Sequence, residues 1–409
     1  MHTETQLKLA EHALTLHRYP VREREPLRAW DAADEYLLSH VIDNESQRAP
    51  RHILVFNDAY GALTLGLHYL SALDDAALTI VSDSVIAHAA LTQNANRNGV
   101  DANRFTLTTS AEFSATASPT RYDLLLIKIP KSLGQLEGNL RAARSRLDAD
   151  ARVMGAGMVK HVHNSTLTLF ESTVGNTKTS LARKKARLIF STPQTDTANV
   201  TANAVTQFVI PTDISKTPEP VTLASFPGVF CHGSLDFGTQ FLLEKMRIPQ
   251  RADRTKPLSI LDLGCGTGAL GLVAARRLAR SSSQTPVTVT FVDESFAAIA
   301  SVEESLRLAP ADAANHHYLT RAGHCLEGVA DQSVDLVLNN PPFHAGGAKT
   351  SGVALEMFAE AKRVLKTGGQ IQVVGNRHLG YHKRLRNIFG NCETVATNDK
   401  FAVLRAVRG

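Results

Sequence analysis

Two short stretches bring together residue types from which a reactive site could be built. One is Ile260-Leu261-Asp262-Leu263-Gly264-Cys265-Gly266-Thr267-Gly268, an apolar run passing through an acid into alternating glycines. Glycine in such a turn lets main chain come close to a ligand where a Cβ would hold it away. A second acid, Asp293, closes the apolar run Val287 to Val292. The other stretch is Leu338-Asn339-Asn340-Pro341-Pro342-Phe343. An exocyclic amine on a ring is a poor nucleophile, because its lone pair is delocalised into the ring. The Asn340 side-chain oxygen and the Pro341 carbonyl can accept its two N–H groups, which favours a pyramidal nitrogen and aims the lone pair. The paired prolines hold that carbonyl rigid and remove competing main-chain donors. Phe343 offers a face on which a base can stack, a contact worth about 1–3 kcal/mol. No neighbouring residue stands out as a strong general base.

Bringing these side chains together requires strands that end near one another. Ile260 to Leu263 and Val334 to Leu338 read as buried strands, with a helix from Ala269 to Leu278 after the glycine turn. The first half shows strands at Ile53 to Phe56, Leu78 to Val81, Tyr122 to Ile129 and Arg152 to Val159, with helices between them, one from Leu136 to Leu147. Strands alternating with helices predict an α/β fold with a parallel sheet covered on both faces. Gln207 to Ile210 with Val221 to Phe226, and Glu393 to Thr397 with Phe401 to Val407, read as hairpins. Upstream, Leu27 to Leu38 has helical spacing with Trp30 on the buried side.

The order of the first half returns in the second. Gly61-Ala62-Leu63 matches Gly268-Ala269-Leu270, Asp83-Ser84 matches Asp293-Glu294, and Pro130 matches Pro341 or Pro342, all at nearly one offset. This predicts an internal duplication: a domain over 1–192, a polar linker over 193–204 and a second domain over 205–409. The copies differ where chemistry would sit. Val55 stands at the position of Asp262, Asn57 at Gly264 and Ala59 at Gly266, while Lys128-Ile129 replaces Asn339-Asn340. The first copy is therefore expected to have lost the ligand and to grasp RNA or buttress the second.

A hydrophobic fraction of 43% with 20% charged residues is that of a soluble globular protein. No stretch is apolar enough for a membrane span, and the N-terminus lacks a secretory signal. Cys231, Cys265, Cys325 and Cys392 are far apart, which argues against a disulfide framework or structural zinc and for free thiols in a reducing cytoplasm. The net charge of +5 leans towards a polyanionic partner. Arg183 to Arg187, Arg276-Arg277 and Lys383 to Arg386 are the basic clusters that could meet one, and His344, Asn376-Arg377-His378 and Tyr381 follow strand ends on the same side.

An Asp-x-Gly-x-Gly-x-Gly turn followed by Asn-Pro-Pro-aromatic resembles the class I methyltransferases that use S-adenosylmethionine. The duplicated layout is similar to the two-domain bacterial rRNA guanine-N2 methyltransferases: two tandem Rossmann-like domains, the N-terminal one degenerate. Pro26 to Leu38, Lys184 to Ile189, Asn376 to Leu379 and Phe389 to Cys392 resemble the large-subunit branch of that family. The resemblance implies that Gly264, Gly266 and Gly268 approach the methionine part and ribose of the cofactor, Asp262 receives its amino group directly or through water, and Asp293 accepts the ribose hydroxyls. Asn340 would border both cofactor and target. Relatives carry Asp or Asn after the third strand to read adenine; here the local sequence is Gly323-His324-Cys325, where His324 or a main-chain group is the candidate and an ordinary loop histidine the alternative. The implied substrate is the N2 amine of one guanine in 23S rRNA, flipped onto Phe343, with no metal needed. Three other readings are a 16S rRNA paralogue, a glutamine-N5 protein methyltransferase and a non-catalytic RNA-binding assembly factor.

Overall fold

Strands covered on both faces need apolar residues at successive positions, and that requirement shapes both sheets of this chain. The computed structural model describes residues 3–9, 12–22, 25–44, 49–70, 75–194, 205–249, 256–281, 285–309, 315–342 and 348–409. The chain divides into two compact units, 1–204 and 205–409. Most of the segment expected to link them, 195–204, lies outside the described residues.

The first unit opens with a hairpin that the sequence did not signal, β1 (Gln6–Leu9) against β2 (His12–Thr15). Next comes α1 (Ala32–Asn44). Trp30 is buried as expected, but it precedes this helix, because Asp31 Oδ1 accepts from Ala33 N at 2.8 Å and starts the helix one residue later. The unit continues with β3 (His52–Phe56), α2 (Ala62–His68), β4 (Ala77–Val81), α3 (Val85–Arg97), β5 (Phe105–Thr108), α4 (Ser110–Ala115) and β6 (Tyr122–Lys128). It ends with α5 (Leu133–Arg144), β7 (Leu147–Met158), α6 (Asn164–Thr173), β8 (Thr177–Thr179) and β9 (Ala186–Ser191). The sheet order is β5-β4-β3-β6-β7-β9-β8, antiparallel only where β9 pairs. Ile53, Val55, Leu124 and Leu126 pack on one face, and Leu54, Phe56, Leu125 and Ile127 on the other. Each such side chain removed from water contributes roughly 1.5–3 kcal/mol.

The second unit begins with β10 (Thr206–Ile210), α7 (Thr212–Ser215) and β11 (Val221–Ser225); β10 and β11 form their own antiparallel hairpin. Then follow α8 (Phe237–Lys245), β12 (Leu258–Leu263), α9 (Ala269–Ser281), β13 (Val287–Asp293), α10 (Phe296–Leu308), β14 (His316–Ala322) and β15 (Val334–Asn339). The last elements are α11 (Ala348–Val364), β16 (Leu365–Asn376), α12 (Tyr381–Phe389), β17 (Glu393–Thr397) and β18 (Phe401–Val407). The sheet order is β14-β13-β12-β15-β16-β18-β17, which repeats that of the first unit strand for strand. All four cysteines are free thiols.

One of the basic clusters is used internally. Arg276 is buried and donates to the Pro220 carbonyl, while Arg277 donates to the carbonyls of Ser215, Ile214 and Leu243. Arg183 to Lys185 form the turn before β9 and stay exposed, with Lys184 Nζ 2.9 Å from Glu35 and Arg183 over the Tyr36 ring. Tyr381 is also a core residue, packed edge-on against Phe358. Lys383, Arg384 and Arg386 remain exposed on α12.

Candidate active site

Neighbouring strands β12 and β15 run parallel, with Leu263 opposite Asn339. The strand order reverses between them, so a crevice opens at their carboxyl ends. This places the glycine turn beside the Asn-Pro-Pro stretch, although they are far apart in the chain. Asn339 ties the two strand ends together, its Nδ2 donating to the Leu263 carbonyl at 2.7 Å.

Gly264, Gly266 and Gly268 all have positive φ, of 68°, 52° and 81°. Their surroundings separate their roles. A Cβ on Gly266 would meet nothing within 4 Å, whereas one on Gly268 would press against Val302 at 3.0 Å. Gly266 thus faces open space and Gly268 serves close packing. Gly271, which the sequence reading passed over, is tighter still: its Cβ would lie 2.4 Å from the Phe291 ring. Its value is visible only once β13 packs beneath α9.

Asp293 braces the turn. Its Oδ2 accepts from Gly266 N at 2.9 Å and its Oδ1 from Ser295 N at 3.0 Å. Burial raises its carboxyl above the usual range, against the lowering by those main-chain donors. Asp262 is fully buried. Its Oδ2 accepts from Gly271 N at 2.8 Å, while its Oδ1 has no partner. Burial pushes its carboxyl up to about 8, and the nearby Asp293 charge adds to the rise. Asp262 therefore also organises the first turn of α9, a task the sequence did not reveal.

Asn340 sits just beyond β15, half-buried. Its Nδ2 donates to Thr239 Oγ1 at 2.8 Å and lies 3.3 Å from each Asp236 carboxylate oxygen; its Oδ1 is buried without a partner. Pro341 is buried behind it. Asp236 and Thr239 belong to the start of α8, and the sequence showed only a helix opening there. Phe343 and His344 lie outside the described residues. His324 Nε2 is 2.8 Å from Glu356 Oε1 on α11, a partner no sequence signal announced. Together with Cys325 these offer three donor atoms within 4.8 Å of one another.

The corresponding place in the first unit is filled. Phe56 pairs with Ile127 as Leu263 pairs with Asn339, so Ile127 stands for Asn339 and Lys128 for Asn340. The sequence alignment of Lys128-Ile129 with Asn339-Asn340 was one residue out, because periodicity cannot set strand register. Lys128 Nζ lies 2.7 Å from Asp31 and 2.8 Å from Asp34. Burial pulls Lys128 down, but Asp34 and Asp31 outweigh it and hold the ammonium above its ordinary range. Burial also raises Asp34, to about 6.

The second unit's residues fit the S-adenosylmethionine expected from the sequence. The space before Gly266 is open, and Asp262 Oδ1, Asn339 Oδ1 and Asn340 Oδ1 are buried acceptors with no partner among the described residues.

Comparison with known proteins places each unit. Residues 4–195 match the family described as the RLMG N-terminal domain, and residues 220–405 the methyltransferase small domain. Curated relatives include ribosomal RNA large subunit methyltransferase G of Streptomyces griseus subsp. griseus, 41% identical over 98% of both chains. The protein of the same name from Erwinia tasmaniensis is 40% identical over 99% of both. Among solved structures, a 16S rRNA N2 guanine methyltransferase from T. thermophilus, bound to AdoMet and guanosine, superposes with a TM-score of 0.71 at 21% identity. That alignment covers 99% of this chain and 98% of the other.

Proposed function

The chain belongs to the ribosomal RNA large subunit methyltransferase G family, and from that membership we propose that it methylates the exocyclic N2 of one guanine in 23S rRNA. S-adenosylmethionine supplies an electrophilic methyl on its positive sulfur. The turn at Gly264 and Gly266 holds the methionine part and ribose, Asp293 accepts ribose hydroxyls, and His324, steadied by Glu356, faces the adenine. The Asp262 carboxyl accepts from the amino group.

The observation that carries the reading is the Asn340 Oδ1 atom, buried and without a partner, at the mouth of the crevice. Together with the Pro341 carbonyl it accepts the two N–H groups of the amine and aims the nitrogen lone pair at the methyl. As the N–C bond forms and the methyl's bond to sulfur breaks, one N–H becomes acidic; these acceptors keep it hydrogen-bonded and aimed until solvent water takes the proton, so positioning does more than a strong base would. The base must leave its stack to reach them, at a cost of a few kcal/mol, and Phe343 stacks it. Action in the cytoplasm, on RNA or a ribosomal particle, belongs to the same proposal.

The test is a map of modified nucleotides in ribosomal RNA from cells with and without the gene. The expected result is loss of a single N2-methylguanosine from 23S rRNA. An unchanged 23S pattern rejects the proposal, and a loss in 16S rRNA instead assigns the chain to the small-subunit reaction.

A further inference from the structure

We infer that Asp236 and Thr239 are positioning residues for methyl transfer: together they decide which end of the Asn340 amide faces the crevice. The inference rests on the reading of Asn340 as acceptor for the target amine. An asparagine amide has a donor end and an acceptor end of nearly equal shape, so an unrestrained Asn340 would often offer the wrong one. Here Nδ2 is 2.8 Å from Thr239 Oγ1 and 3.3 Å from both oxygens of Asp236. A carboxylate only accepts. Turned over, the amide would set oxygen against carboxylate oxygens and point its donor at a donor. Oδ1 is thus the end held for the substrate, and it has no partner among the described residues. Asp236 is itself held, accepting from Gly238 N at 2.9 Å and Thr239 N at 3.1 Å. The carboxylate that caps α8 is the one that clamps Asn340.

The first unit supplies a second, independent observation. Asp31 caps α1 in the same manner, accepting from Ala33 N at 2.8 Å and Asp34 N at 3.4 Å. Lys128, at the strand position of Asn340, bonds Asp31 and Asp34, which stand where Asp236 and Thr239 stand. The link from helix start to strand end therefore persists in the copy whose glycine turn has lost its acid. There the strand residue is an ammonium, which donates only and presents no acceptor. In the second unit the same frame holds an amide with its oxygen free.

The experiment uses full-length protein, labelled S-adenosylmethionine and ribosomal RNA from cells lacking the gene. Asp236→Asn keeps a helix cap but can turn a donor towards Asn340; Thr239→Val removes the hydroxyl at similar volume; Thr239→Ser restores it. We expect kcat to fall about 100-fold in Asp236→Asn and about tenfold in Thr239→Val, and to recover to within about threefold of wild type in Thr239→Ser. The KM for RNA and the cofactor Kd should stay within about twofold throughout. Unchanged kcat in both Asp236→Asn and Thr239→Val overturns the inference. So does a loss that tracks cofactor Kd or melting temperature, or a Thr239→Ser variant as impaired as Thr239→Val. A wild-type protein that leaves ribosomal RNA unmethylated sinks the reading of function and this inference with it, and shows before any variant is made.

Discussion

The amide of Asn340 and the carboxyl of Asp262 are the two groups whose chemistry depends most on where the fold puts them. With Asn340 as the proposed acceptor for the target amine, Asn340→Ala should lower methyl transfer by at least about 100-fold. Calorimetry should find the cofactor Kd nearly unchanged. Equal turnover in the mutant would remove Asn340 from the mechanism. Asp262 makes a different prediction. In the folded chain burial keeps its proton on up to about pH 8, while an unfolded carboxyl releases it near 3.8. Between those values the unfolded chain binds fewer protons, so stability contributed by this site falls as pH rises. Asp262→Asn is neutral throughout and still accepts from Gly271 N. Its melting temperature relative to wild type should therefore climb by several degrees from pH 5 to pH 8, while cofactor affinity drops. A difference that is flat with pH would show that Asp262 is ionised in the fold.

Among the elements, α12 separates surface charge from internal use of charge. Its buried residues Tyr381, Leu385 and Phe389 are one turn apart, which leaves Lys383, Arg384 and Arg386 exposed together. The helix follows β16 at the carboxyl end of the sheet, the end where the crevice opens. RNA phosphates reaching the site would meet this face. Each of Lys383→Ala and Arg384→Ala should reduce the slope of log K against log salt by about 0.7 and leave cofactor binding untouched. A slope equal to wild type would show that RNA approaches from elsewhere. The same charge count in Arg276-Arg277 carries no such expectation, because those guanidinium groups satisfy helix and loop carbonyls inside the unit.

For the whole molecule, two sheets with one strand order and two unlike crevices predict a single cofactor per chain, measurable by calorimetry. A stoichiometry of two would overturn the proposal that the first copy has lost its ligand. The first unit has replaced that site with a buried ion pair, and removing one member of such a pair costs about 3–5 kcal/mol. Lys128→Met should destabilise the first unit by that order, followed through Trp30, the only tryptophan. The loss should be larger at pH 8 than at pH 5. Asp34, already raised to about 6 beside its cation, would be neutral at the lower pH and bear the missing charge cheaply.

Much of this was legible in residue order. Apolar runs at strand length, glycines after β12, the Asn-Pro-Pro stretch and the recurrence of one pattern determined the α/β class, the duplication and the location of the site, because local periodicity and turn chemistry act over a few residues. Other features were decided only by tertiary packing. Strand register placed Lys128, not Ile129, at the counterpart of Asn340; packing under α9 made Gly271 obligatory. The cap of α8 came to grip Asn340, and α11 brought Glu356 to His324. Each of these joins residues distant in the chain, and such a meeting exists only once the backbone has closed around it.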